Sequence, residues 1–550
     1  MTRNFREHAL RPVESLDGLW TLTANEKTYA AWVPGVWETI PELTTWRGEA
    51  EYTRAVTVDE PGSLLLRFGG VSHTADVFFD GRPVAHHYNA YTAFDALIEN
   101  AEAGEHTLTV RVDNSYSEKS TLHIPNDYET YGGITRPVEL HRVKGAYIER
   151  MAFHATEDKA GRFTAHARVW VRALEDVTEG VVSLSVADGR AEAAFTAHAG
   201  ETVCVGADMP VTDILRWDVL NARLYDLTAR LTLDGRPVDD LIDRVGFRTV
   251  KVEGEAILLN GRRLLLKGFN RHEEHGQFGS ALSVEAMAAD LQLALDTGAN
   301  TIRTCHYPND PRFLDLCDEL GILVWEEHHA RALPHEVMAS PLFAEQTAAC
   351  NEEMIAQHVN HPCIYVWGVL NECESETEFG REIYRRNLEH LRRLDPTRPV
   401  TFASCRYFKD ICLDLVDIVS FNIYPGWYVK EDSTAFVNRL IGWMEENGAA
   451  NKPILISEIG AGGIAGYHDP FGQAKWSEER QAAIVAEQLK VVFDTPRLSG
   501  VYLWQFADVK VSEEWARARP KTMNNKGILD NWRRPKMAYA VVKKAFHEAK

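Results

Sequence analysis

At 550 residues, with 45% hydrophobic residues and 14 Trp, the chain is a folded protein too long for one hydrophobic core, and two to four domains are expected. Its formal net charge of -21 argues against nucleic acid or an anionic membrane as the main partner, because both reward clustered Lys and Arg; a local basic pair can still hold an anionic ligand. The opening residues Met1 to His8 are charged and lack an apolar signal-peptide core, no apolar run is long enough to span a bilayer, and seven of the eight Cys stand singly in the C-terminal half, so a cytoplasmic chain with reduced thiols is expected.

Residues 1–145 read as short strands separated by turns. Leu64 to Phe68, Ala75 to Phe79 before Asp80-Gly81, and Thr107 to Val112 are examples, and their spacing predicts a β-sandwich of jelly-roll type. Residues 146–255 alternate more strictly, as in Ala165 to Val171 and Val181 to Val186, with Asp234-Gly235 as a hairpin turn. This predicts an immunoglobulin-like sandwich. From 256 to 550 strands alternate with helices. The expected strands are 264–270, 301–306, 322–326, 364–372, 400–403, 418–424, 454–458 and 501–506, with helices such as 284–297, 378–394 and 478–493 between them. Eight strands in this alternation predict a (β/α)8 barrel, whose active site sits at the C-terminal strand ends. No internal repeat or low-complexity segment interrupts it.

Two of those ends carry a glutamate, Asn371-Glu372 and Ser457-Glu458. A buried apolar strand that delivers a carboxylate is costly unless the carboxylate works. Two such acids at one barrel mouth are the equipment for glycosidic-bond cleavage, with one as nucleophile and the other as acid and then base. The plainer reading, ordinary charges paired with Arg or Lys, suits either Glu alone and suits the matched pair poorly. Asn371 can bond a sugar hydroxyl through its amide. Other patterns are weaker. His272-Glu273-Glu274-His275 spaces its histidines three apart rather than four, so it is not the HExxH zinc motif. Gly460-Ala461-Gly462-Gly463 lacks the residues of a phosphate cradle and reads as a rim loop. No metal and no cofactor is expected.

The stretch Asn300-Thr301-Ile302-Arg303-Thr304-Cys305-His306-Tyr307-Pro308, continuing through Asp318 to Trp325, resembles the first signature of glycoside hydrolase family 2. Asn360-His361-Pro362 through Trp367-Gly368 to Asn371-Glu372 is similar to the second. The resemblance extends over the whole chain, since that family also carries a jelly roll and an immunoglobulin-like domain before its barrel. It implies Glu372 as acid/base and Glu458 as nucleophile. Asn524-Asn525-Lys526-Gly527 resembles the Asn-x-Lys motif of the family's β-glucuronidases, which implies that Asn524 and Lys526 hold the sugar's C6 carboxylate; on residue types alone it would pass for a surface turn. Asn422-Ile423-Tyr424-Pro425-Gly426-Trp427-Tyr428 resembles a loop of the same enzymes, which implies Tyr424 near the nucleophile and Tyr428 near the uronate. Asp127 matches an acid that reaches the sugar hydroxyls from the jelly roll, Trp504 stands where an aromatic platform is expected, and His306 lies at the mouth.

Two departures stand out. Pro425 replaces a second Tyr, and His328-His329-Ala330-Arg331 is basic where small residues are usual, so Arg331 can reach a carboxylate from another angle. The expectation is a retaining exo-glycosidase acting on small or oligosaccharide β-glucuronides, with a β-galacturonidase or an enzyme of dual specificity as the alternative. A neutral β-galactosidase is disfavoured by the Asn-x-Lys match, and a non-catalytic carbohydrate-binding protein by the presence of both glutamates. Family relatives assemble through their sandwich domains, which implies a homo-oligomer.

Overall fold

A computed structural model of the chain describes residues 2–472 and 474–549; Met1, Gln473 and Lys550 lie outside the described residues. Between Val13 and Val143 the chain forms a four-stranded and a six-stranded antiparallel sheet packed face to face. Alternating burial drives the packing: in Thr74–Phe79 every second side chain points into a core with Trp20, Tyr52 and Phe68. Ala146–Glu157 opens a second sandwich, a three-stranded sheet facing a four-stranded one. Its strand Phe163–Ala173 alternates in the same way.

The C-terminal part is a closed parallel barrel. Its strands are Leu266–Asn270, Thr301–Thr304, Leu323–Glu327, Ile364–Gly368, a fifth made of Val400–Thr401 and Ala403–Ser404, Val419–Asn422, Ile454–Ile459 and Leu498–Leu503. The first pairs with both the second and the eighth, and the two pieces of the fifth close the ring between the fourth and sixth. Several strands are buried along their whole length. That is the signature of a sheet covered on both faces. Helices Val284–Asp296 and Glu478–Phe493 start where Ser283 and Ser477 each accept one of the backbone N–H groups that the first turn leaves open.

Two expectations need adjustment. The fourth strand ends at Gly368, so Glu372 stands four residues beyond it, on backbone with φ +54° after Leu370 at φ +50°. The carboxylate therefore sits on a turn past the strand rather than on its last residue. A small sheet, Val250–Glu253, Ala256–Leu259 and Arg262–Arg263, precedes the barrel and drives Ile257 and Leu259 into its core; the strict strand–helix alternation gave no sign of it.

The three parts are stitched together by buried polar contacts. Trp217 of the second sandwich is fully buried in the barrel core and donates its indole N–H to the Asp318 carbonyl at 2.8 Å. Gly321 ends helix Pro311–Leu320 at φ +69°, and a Cβ there would meet the Leu220 backbone nitrogen at 2.5 Å, so only glycine fits. Asn360 donates to the Met151 carbonyl and accepts from the Phe153 N–H. The loop 114–132 leaves the first sandwich and runs across to the barrel mouth, with Thr121 donating to Gln346 at 2.6 Å. Trp217→Ala should cost about 3–5 kcal/mol, whereas Trp217→Phe, which loses mainly one hydrogen bond, should cost about 1–2 kcal/mol. Thermal unfolding of the two variants checks this; negligible losses in both would show that Trp217 does not tie the sandwich to the barrel.

Candidate active site

Arg303 on the second barrel strand organises the mouth. It has no solvent exposure, and an unpaired cation there would be prohibitively costly. Its Nε and Nη2 donate to both oxygens of Glu327 at 3.0 and 2.8 Å. Its Nη1 donates to Asn270 at 2.9 Å and to Glu458 Oε1 at 3.1 Å, and Nη2 also donates to Asn371 Oδ1 at 2.8 Å. Burial opposes the charge, yet Glu327 and Glu458 outweigh it and hold the guanidinium proton more tightly than usual.

Glu458 accepts from Arg303 and from the Tyr424 hydroxyl, the latter at 2.5 Å. Burial first and the charge of Glu372 second push its carboxyl up to about 8, against Arg303 and Tyr424, which pull it down. Glu372 is more open and accepts from the Asn422 amide at 3.0 Å, with Arg331 Nη2 at 3.7 Å. Asn422 is fixed from behind by the Ser457 hydroxyl, which donates to its Oδ1 at 2.8 Å. Asn371 uses its Oδ1 twice and leaves its buried Nδ2 without a partner, a donor aimed at something the protein does not supply.

His306 Nδ1 lies 2.7 Å from Glu327 Oε1, and burial lowers its basicity far enough to keep the ring neutral. The short contact to a carboxylate assigns the Nδ1–H tautomer, which leaves the Nε2 lone pair unpaired, 3.9 Å from Glu458 Oε1. Trp504 lies flat on the His306 ring, 5.2 Å between centroids at 16°, and packs with Cys305 and Tyr424.

Asp127 arrives on the loop from the first sandwich. It pairs with Arg331 at 3.0 Å and Arg519 at 2.8 Å, and accepts from Asn524 Nδ2 at 3.1 Å. Burial opposes its charge, but Arg331, Arg519 and Lys526 hold it below the usual carboxylate range. Asp127 thus stands in the mouth paired with two arginines, and its buried Oδ1 has no hydrogen-bond partner in the protein. Arg331 also donates to Asn126 at 2.8 Å. The basic look of His328-His329-Ala330-Arg331 needs correcting too: burial pushes His328 to about 4 and His329 to about 3, so both are neutral and Arg331 alone carries charge.

Lys526 is 3% exposed and makes no ion pair among the described residues. Burial lowers its basicity. Its ammonium stands 5.4 Å from the Tyr428 ring and 5.9 Å from that of Tyr424. The turn that carries it is pinned by Asp508, whose Oδ1 accepts from the Gly527 N–H at 2.9 Å and from Lys536 at 2.7 Å. A Cβ at Gly527 would strike the Asp508 backbone at 2.3 Å. Tyr428 is half exposed at the rim, where its hydroxyl accepts from Arg519 at 3.4 Å.

All eleven residues singled out in the sequence thus fall within one connected mouth: Glu372, Glu458, Asp127, His306, Asn371, Tyr424, Tyr428, Trp504, Asn524, Lys526 and Arg331. Three others in the network were not singled out: Arg303, Asn126 and Arg519. Arg303 lay inside a quoted motif and Asn126 beside Asp127. Arg519 had no signal at all, since its place depends on how the 513–522 segment folds back. Among the described residues three buried groups have metal-ligand character, and one of them, His272, Cys305 and His306, borders this mouth.

A family model described as "Glycosyl hydrolases family 2, TIM barrel domain" matches residues 250–550. The structure is similar to a GH2 β-galacturonidase from Eisenbergiella tayi bound to galacturonate, with a TM-score of 0.97 and 45% identity over 100% of both chains. It is similar to a β-D-glucuronidase from Dictyoglomus thermophilum, with a TM-score of 0.87 and 25% identity over 99% of this chain and 98% of that one. A β-glucuronidase of Streptococcus agalactiae is 28% identical, covering 92% of this chain and 89% of the relative. With the matching model spanning more than half its length, the chain belongs to glycoside hydrolase family 2 and is a glycoside hydrolase.

Proposed function

We propose that the chain hydrolyses β-linked hexuronides with retention at the anomeric carbon, and that it takes galacturonides in preference to glucuronides. The barrel of residues 256–550 would carry the chemistry, and the sandwiches of 1–145 and 146–255 would support it. The observation that carries the uronide reading is Lys526, a buried cation that makes no ion pair among the described residues and lies two residues from Asn524. A substrate carboxylate completes that pair, and a neutral CH2OH leaves it desolvated and unmatched.

In this reading Glu458 attacks C1 while Glu372 protonates the leaving oxygen. Glu372 then takes a proton from water as that water opens the glycosyl-enzyme. The two donors on Glu458, Arg303 and Tyr424, favour its ionised form, which suits the nucleophile. The unpartnered Asn371 Nδ2 and His306 Nε2 would meet sugar hydroxyls over the Trp504 face, with Tyr428 at the rim.

The galacturonide preference rests on the 45% identical relative, whose ligand is galacturonate, and on Arg331. The two uronides differ only at C4. With Asp127 held between Arg331 and Arg519, the wall at that end presents two guanidinium groups beside one carboxylate. The kcat/KM for an aryl β-galacturonide should exceed that for the β-glucuronide; the reverse ranking would restore the glucuronide reading.

Glu458→Gln should lower kcat on either uronide by about a thousand-fold or more, and unchanged hydrolysis would remove it as nucleophile. Lys526→Ala should cost uronides roughly thirty-fold or more in kcat/KM while sparing a neutral β-galactoside; equal losses would end the carboxylate-clamp argument. The kcat/KM profile should fall as pH rises through about 8, where Glu458 loses the proton it holds in the free site. Tyr424→Phe, which removes a donor that lowers Glu458, should move that limb upward; a downward shift would contradict the pairing.

A further inference from the structure

We propose that the floor of this mouth is also a binding site for a thiophilic divalent cation, Zn2+ above all, held by His272 Nε2, Cys305 Sγ and His306 Nε2. One ligand atom from each residue lies within 4.8 Å of the others, and all three side chains are buried. Both imidazole Nε2 atoms lack any partner. Both Nδ1 atoms are engaged, His306 by Glu327 Oε1 at 2.7 Å and His272 by the Tyr307 hydroxyl at 3.2 Å. A carboxylate or hydroxyl behind the ring, with the other nitrogen facing inward, is how proteins orient histidine toward a metal.

The donor set selects the ion. Two imidazoles and a sulfur favour Zn2+ and its neighbours over Mg2+ or Ca2+, which prefer oxygen. Tetrahedral zinc with bonds of about 2.0–2.3 Å needs ligand atoms roughly 3.3–3.8 Å apart, so the three must close by up to about 1 Å. The fourth position is at hand, since Glu458 Oε1 lies 3.9 Å from His306 Nε2. Binding converts the Cys305 thiol to a thiolate ligand and releases its proton to water. The buried trio Asp318, His361 and Cys363 is a poorer host, because its carboxylate already accepts from His361 Nδ1 at 2.5 Å and from the Cys363 N–H at 2.8 Å.

An ion here would cap Glu458 and occupy the space above Trp504, so it would exclude the sugar. That consequence rests on the hexuronidase reading; the binding itself does not. The test uses full-length protein carrying Cys204→Ser, which removes an exposed thiol, after chelation and desalting. Titration with Co2+ should give sulfur-to-cobalt charge-transfer absorption at one ion per chain, and Zn2+ should displace the Co2+. Cys305→Ser and Cys305→Ala should each abolish that band and weaken Zn2+ binding by about ten-fold or more in calorimetry. A wild-type Cys305 protein without the band, or a variant that binds as tightly, would overturn the site. Zn2+ should also inhibit uronide hydrolysis competitively; binding with the band present and no inhibition would retain the site and count against the hexuronidase reading alone.

Discussion

One buried guanidinium holds the mouth together. Arg303 is deep enough that its charge survives only because Glu327 grips it in two-point fashion and Glu458 adds a third contact. The same group fixes Asn371 and, through Glu327, selects the tautomer of His306. Remove that cation and Glu458 loses its main stabiliser, Asn371 its orientation, and Glu327 becomes a second uncompensated acid in the floor. A buried ion pair contributes little net stability against an apolar equivalent. Its worth here is geometric, because it sets the relative positions of groups from four different strands.

The second device is the chain of ions at the rim. Asn524, Asp127, Arg331 and Glu372 run in series across the mouth, from the turn that carries Lys526 to the turn that carries Glu372. Asp127 is the shared anion between two arginines, and Lys526 is the cation left over. The excess positive charge at this point contrasts with a net charge of -21 over the chain, so the field at the mouth is set locally and runs against that of the molecule as a whole.

The barrel was legible because its strands are continuous apolar runs at regular spacing and because helices 378–394 and 478–493 are bounded by clear start and stop residues. The two glutamates were legible from their place after such runs, although Glu372 turned out to stand on a left-handed turn beyond its strand. What sequence could not show were contacts between distant segments. Arg519 reaches Asp127 across 392 positions, and no local pattern marks it. The engagement of Asp127 and the neutrality of His328 and His329 are likewise properties of packing: burial, invisible in a string of letters, decides them.

The loop 114–132 puts part of the substrate-facing wall in a sandwich that contributes no reacting atom. Asn126 and Asp127 come from one structural unit and Glu372 and Glu458 from another, so one wall of the mouth and its pair of acids are encoded in separate stretches of gene. A substitution in the loop reaches the mouth through the contacts of Asn126 and Asp127 with Arg331, Arg519 and Asn524, and it leaves Arg303 and its partners untouched. The wall can therefore be reshaped from outside the unit that holds the two glutamates.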